Sequence, residues 1–87
     1  MRHPTAVNVL VDSRGRIPVS KPLRLELGLV PGQSLEFLIA DGRLEAQIMP
    51  IPMDLVLRDG NLVAVPQMTL PTLTASMVRG VMESRHA

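Results

Sequence analysis

Val7, Val9 and Val11 alternate with Asn8 and Leu10, which predicts a strand over residues 6–11. Asp12-Ser13-Arg14-Gly15 is turn chemistry, and Arg16-Ile17-Pro18-Val19 reads as a short second extended piece. Pro18 has no amide hydrogen to give a ladder, so this piece belongs at a sheet edge or bulge. Ser20 can cap a helix starting near Lys21, with Pro22 tolerated in a first turn whose amides lack intrahelical partners. Leu23 and Leu27 stack at i,i+4, Gly28 stops the helix, and Pro31-Gly32 turns the chain. At about two turns, such a helix needs tertiary packing to persist.

Residues 34–40, Asp41-Gly42 and residues 43–49 then read as a hairpin with a two-residue turn. That turn pairs Ile39 with Leu44, Phe37 with Ala46 and Leu35 with Ile48, putting all six on one face. Glu36, Arg43, Glu45 and Gln47 fall on the other. Pro50-Ile51-Pro52 reads as a linker. Residues 54–58, Asp59-Gly60 and residues 61–65 suggest a second hairpin, whose strands (Leu55-Val56-Leu57 and Leu62-Val63-Ala64-Val65) are nearly solid apolar and call for cover on both faces. Thr74 can cap a last helix in which Leu73, Met77, Val78, Val81 and Met82 share a stripe, with Gly80 in its middle costing about 1 kcal/mol relative to Ala.

Composition narrows the chemistry. The 87 residues hold no Cys, no Trp, no Tyr and one Phe, which removes disulfides, thiolate sites and an aromatic platform for single strands. The two His residues, His3 and His86, sit at opposite ends, and the eight acids are scattered, so neither a cofactor nor a catalytic set is indicated and the chain reads as a non-enzyme. An apolar content of 46% supports a core, while no run approaches the roughly 20 residues of a membrane helix, and Met1-Arg2-His3-Pro4 does not open a signal peptide. A cytoplasmic protein without a membrane partner is the expectation. A chain this short buries only about 60% of its unfolded surface, which favours a partner subunit. The charge is uneven: five bases against two acids through Gly28 (+3), then four against six (−2), which together make the net +1. A basic front suits a polyanion, though a solvated basic loop explains it as well.

The run Val11-Asp12-Ser13-Arg14-Gly15-Arg16-Ile17-Pro18-Val19, followed by Leu23-Arg24-Leu25-Glu26-Leu27-Gly28-Leu29-Val30-Pro31-Gly32 and the Asp41-Gly42 turn, resembles the AbrB/MazE/SpoVT swapped-hairpin DNA-binding family over about residues 6–50. It departs from the family at Pro18, where a β-former is usual, and at Ser20, where a helix-starting Pro is usual. The resemblance implies a mainly β fold with short helices: a swapped-hairpin, dimeric β-barrel followed by a C-terminal arm with an extended or hairpin segment and a helix. It places the DNA-facing surface at Arg14, Arg16 and Arg24, with Lys21 and Asn8 as lesser candidates. Arginine takes both phosphate oxygens and guanine edges, and a two-fold would double the basic face. Each arginine could instead be solvated or paired with Asp12 or Glu26.

The tail, with Arg58-Asp59-Gly60-Asn61-Leu62-Val63-Ala64-Val65-Pro66, Leu70-Pro71-Thr72-Leu73-Thr74 and Val78-Arg79, is similar to that of VapB-type antitoxins. That likeness implies a PIN-domain ribonuclease toxin as partner, held by Leu70, Leu73, Met77, Val78, Arg79, Val81, Met82 and Arg85. Since PIN toxins carry an acidic, metal-binding active site, Arg79 or Arg85 would be the residue that neutralises it. The alternative for the stripe is burial against the protein's own dimer core. The division expected is residues 1–50 for dimerisation and operator binding, and residues 51–87 for the toxin. The resulting expectation is the antitoxin of a type II pair that also represses its own operon. A stand-alone AbrB-like regulator and a pure protein adaptor are the alternatives.

Overall fold

The structure, a computed structural model, describes residues 5–40, 47–68 and 77–84. Among them are six strands and one helix, in the order β1 (Thr5–Leu10), β2 (Ile17–Pro18), α1 (Lys21–Leu27), β3 (Ser34–Ala40), β4 (Ile48–Arg58), β5 (Asn61–Pro66) and β6 (Met77–Ser84). All pairings are antiparallel, and the strand order is β1-β6-β3-β4-β5-β2. The two end strands lie near each other without pairing, so the sheet wraps into a nearly closed barrel-like form. This is the mainly β architecture with a short helix that the sequence implies.

Strand alternation builds the interior. Val9, Leu35, Phe37, Ile39, Ile51, Met53, Leu55, Leu62, Ala64 and Met82 face inward and are buried, joined by Val11, Ile17, Val19 and Leu29. Phe37, the chain's one aromatic residue, is fully buried. The helix is as its sequence predicts. Ser20 Oγ accepts from the Leu23 amide at 3.4 Å, Pro22 occupies the first turn, and Gly28 ends the helix at φ 65° and ψ 36°. That left-handed C-cap strongly favours glycine. Leu23 and Leu27 pack against the core while Leu25 is exposed. Ser34 Oγ and Gln67 Nε2 both donate to Asp54 Oδ1 at 2.9 Å, tying β3, β4 and the end of β5 together.

Two predicted elements are corrected, and with the first goes the predicted linker at residues 50–52. The first hairpin does not take the register of a two-residue turn, since Ala40 pairs with Ile48; the predicted Asp41-Gly42 turn and residues 43–46 lie outside the described residues. Leu35 faces Met53, Phe37 faces Ile51 and Ile39 faces Met49, where the two-residue turn predicts Ile48, Ala46 and Leu44. The face of the second strand is therefore reversed, and Ile48 is 66% exposed. The reason lies in volume and continuity. Opposite Phe37, Ile51 fills more space than Ala46, and the same face runs on through Met53 and Leu55 into the β4–β5 hairpin.

Pro50 and Pro52 thus sit inside a strand rather than a linker. The Leu55 amide donates to Gln33 O, toward β3, whereas Pro52 O accepts from the Gln67 amide on the opposite side. By strand alternation, the hydrogens that prolines 50 and 52 lack would have pointed away from β3. β5 pairs only from Met53 onward, so little is forfeited. The β4–β5 hairpin matches its Asp59-Gly60 prediction, with Arg58 paired to Asn61. Its solid apolar runs alternate in place: Leu55, Leu62 and Ala64 are inside, and Val56 and Val63 are half-buried outside.

The second correction concerns the C-terminal helix. Thr74 and Leu73 lie outside the described residues, and residues 77–84 form β6, paired to both β1 and β3. A strand here gives β1 and β3 a shared neighbour, whereas a helix would leave both with open edges. Gly80 fits the strand. A Cβ there would stand 3.1 Å and 3.3 Å from the two Cγ atoms of buried Val9.

Candidate nucleic-acid interface

The candidate basic residues fall on two local structures and one sheet face. The first is the turn between β1 and β2. The Asp12 amide donates to Arg16 O and the Gly15 amide to Asp12 O, each at 3.0 Å. Gly15 takes φ 81°, which lets the chain turn back within five residues. The Asp12 carboxylate then fills the turn. Its Oδ1 accepts from the Arg14 and Arg16 amides at 2.8 Å each, and its Oδ2 accepts from Arg16 Nε at 3.0 Å.

Partial burial would by itself raise the Asp12 pKa. The Arg16 and Arg14 amides and the Arg16 guanidinium outweigh it, so the carboxyl is held below its ordinary value. The ion pair is well exposed, with Arg16 at 29% and Asp12 at 41%, and contributes little to stability by itself. Its effect is geometric: Arg14 stands exposed at the tip, and Arg16 is held through Nε, which keeps its two terminal nitrogens for another acceptor.

The second local structure is α1, which starts three residues after β2 and carries Lys21, exposed, and Arg24, half-buried in the last turn. Among the described residues, Asp12 pairs with Arg16 alone, and Glu26 forms no ion pair with any of these arginines. Asn8 is on the outer face of β1, in register with Arg79 of β6. The alternation of β6 divides the expected toxin-binding stripe. Arg79 and Val81 are on the outer face, while Val78 packs against the core and Met82 is buried. Of Met77 only the backbone position, opposite Leu10, is described. Leu70, Leu73 and Arg85 lie outside the described residues.

Among the described residues no group of three or more His, Cys, Asp or Glu side chains could hold a metal ion. Nor is any helix there long and apolar enough to cross a membrane.

Curated relatives decide the family. Over 73 residues, 84% of this chain and 90% of theirs, it is 36% identical to antitoxin VapB40 of Mycobacterium tuberculosis, in strains H37Rv and CDC 1551. The chain belongs to the VapB antitoxins. An uncharacterized protein of Mycobacterium bovis matches to the same extent. No family model matches, and no solved structure gives a significant match. A VapB antitoxin is not an enzyme, and its name implies a toxin partner. In this VapB antitoxin, Asp12 is legible as a turn former and as an ion-pair partner for an arginine, and what sequence reasoning misses is that the same carboxylate also takes the Arg14 and Arg16 amides. The available signal is its spacing: one carboxylate with arginines two and four positions on and a glycine at the third.

Proposed function

We propose that this VapB antitoxin acts in the cytoplasm as a homodimer that binds operator DNA of its own promoter and neutralises a PIN-domain ribonuclease toxin. The observation that carries the DNA half is the pinned turn of residues 12–16, which holds two arginines on one hydrogen-bonded bend. Arg14 and Arg16 grip phosphates or guanine edges, supported by Lys21 and Arg24 on the helix that follows and by Asn8 on β1. A two-fold axis places two such bends on one duplex, in keeping with the swapped-hairpin resemblance of residues 6–50.

The toxin half rests on the family and on residues 51–87. Arg79 and Val81 are available on the outer face as the sheet stands. Engagement of Val78 and Met82 by a partner requires β6 to leave its place between β1 and β3. Since β4 runs through residue 50, the proposed division into 1–50 and 51–87 is one of function and not of folding.

Titration of a duplex from upstream of the coding sequence tests the first half. Replacing Arg14 and Arg16 by Ala is expected to weaken binding and to flatten the salt dependence by about 0.9 in log–log slope for each phosphate no longer neutralised. Unchanged retention would remove Arg14 and Arg16 from the interface, and a wild-type chain that retains no duplex would leave the adaptor reading. For the second half, the adjacent ribonuclease should lose activity on mixing with the wild-type chain and keep more of it with Arg79→Ala.

A further inference from the structure

The Asp12 carboxylate is bonded within its own turn: Oδ1 accepts from the amides of Arg14 and Arg16, and Oδ2 from Arg16 Nε. With the Asp12 amide bonded to Arg16 O and the Gly15 amide to Asp12 O, five hydrogen bonds converge on five residues. Yet the carboxylate also places a negative charge 3.0 Å from a guanidinium expected to meet a polyanion. On charge alone, Asp12 works against the function of the bend.

We propose that Asp12 is a positioning residue for nucleic-acid binding, whose carboxylate fixes the bend and orients Arg16 at the expense of one unit of local positive charge. The inference rests on the proposed DNA reading and adds to it a residue that touches no DNA itself. Holding the bend in one conformation before contact removes ordering entropy that would otherwise be lost on binding. Taking Nε as the tether turns the two terminal nitrogens of Arg16 into a fixed pair of donors, the arrangement that bidentate recognition of phosphate or guanine requires.

The two roles of the carboxylate predict opposite signs. If Asp12 acts through charge, its removal strengthens binding to any duplex. If it positions, removal weakens binding although the net charge rises by one. The experiment titrates the full-length chain and its Asp12→Ala and Asp12→Asn variants with two duplexes of equal length, one from upstream of the coding sequence and one of random sequence. Asp12→Ala is expected to bind the upstream duplex roughly tenfold more weakly, about 1.4 kcal/mol. Asp12→Asn keeps an oxygen acceptor for the two amides and falls between Ala and wild type.

Hydrogen exchange at the Arg14 and Arg16 amides should accelerate far more in Asp12→Ala than exchange in β3 and β4, a local signature that general destabilisation would not give. If Asp12→Ala does not fold, Asp12→Asn decides alone: weaker than wild type supports positioning. Equal or tighter binding by the variants overturns the proposal. Loss of binding on Arg14→Ala with no loss on Asp12→Asn would overturn positioning and leave the DNA reading intact. A wild-type chain that binds neither duplex overturns both.

Discussion

Acid removes the charge that holds the β1–β2 bend. Because the folded pKa of Asp12 lies below its unfolded value, near 3.9 for an ordinary Asp, the carboxylate stabilises the fold above that value. The contribution is lost as pH falls through the lower folded pKa. Urea midpoints followed by circular dichroism from pH 7 to pH 2 should show the wild type above Asp12→Asn at neutral pH, with the two converging in acid. Parallel curves would mean that the charge does not matter to the fold. Circular dichroism is the suitable probe, since the chain has no Trp or Tyr to report by emission. The residue scale also shows what a single sequence conceals. Asp12-Ser13-Arg14-Gly15 is legible as a turn, but which of its groups the carboxylate takes depends on backbone directions that only the folded bend sets.

Among the elements, β6 is where local and tertiary preferences part. Read by itself, Met77-Val78-Arg79-Gly80-Val81-Met82 fits a helical stripe, and Gly80→Ala in a helix would stabilise by about 1 kcal/mol. In the sheet the added methyl meets Val9 at 3.1 Å, and Val9 is β-branched, buried and stiff. Gly80→Ala is therefore expected to destabilise by about 1–3 kcal/mol, with Val9→Ala partly relieving it in the double variant. The sign of one thermal shift distinguishes strand from helix.

The α1 caps and the β4–β5 hairpin are legible because their signals are local: Ser20, Pro22 and Gly28 in one case, Asp59-Gly60 in the other. The β3–β4 register is not, because it depends on Ile51 and Met53 outcompeting Ala46 and Ile48 for Phe37 and Leu35 across the strand. That competition is non-local. The basic residues of the candidate interface are likewise legible by type, whereas the partition of Val78 and Met82 from Arg79 and Val81 follows only from the pairing of β6.

For the molecule as a whole, residues from every part of the sheet share one core, so the C-terminal strand is no appendage. Deleting residues 77–87 is expected to abolish cooperative unfolding, since β1 and β3 then lose their common neighbour. A separately folding head would keep a sharp transition. The outer rim of β2 has a consequence of its own. The Val19 amide donates to Leu62 O, so strand alternation turns position 18 toward the unpaired side, and Pro18 has no hydrogen to present there. That side faces β1, so at the seam between the two end strands a missing donor keeps the sheet from completing its ring.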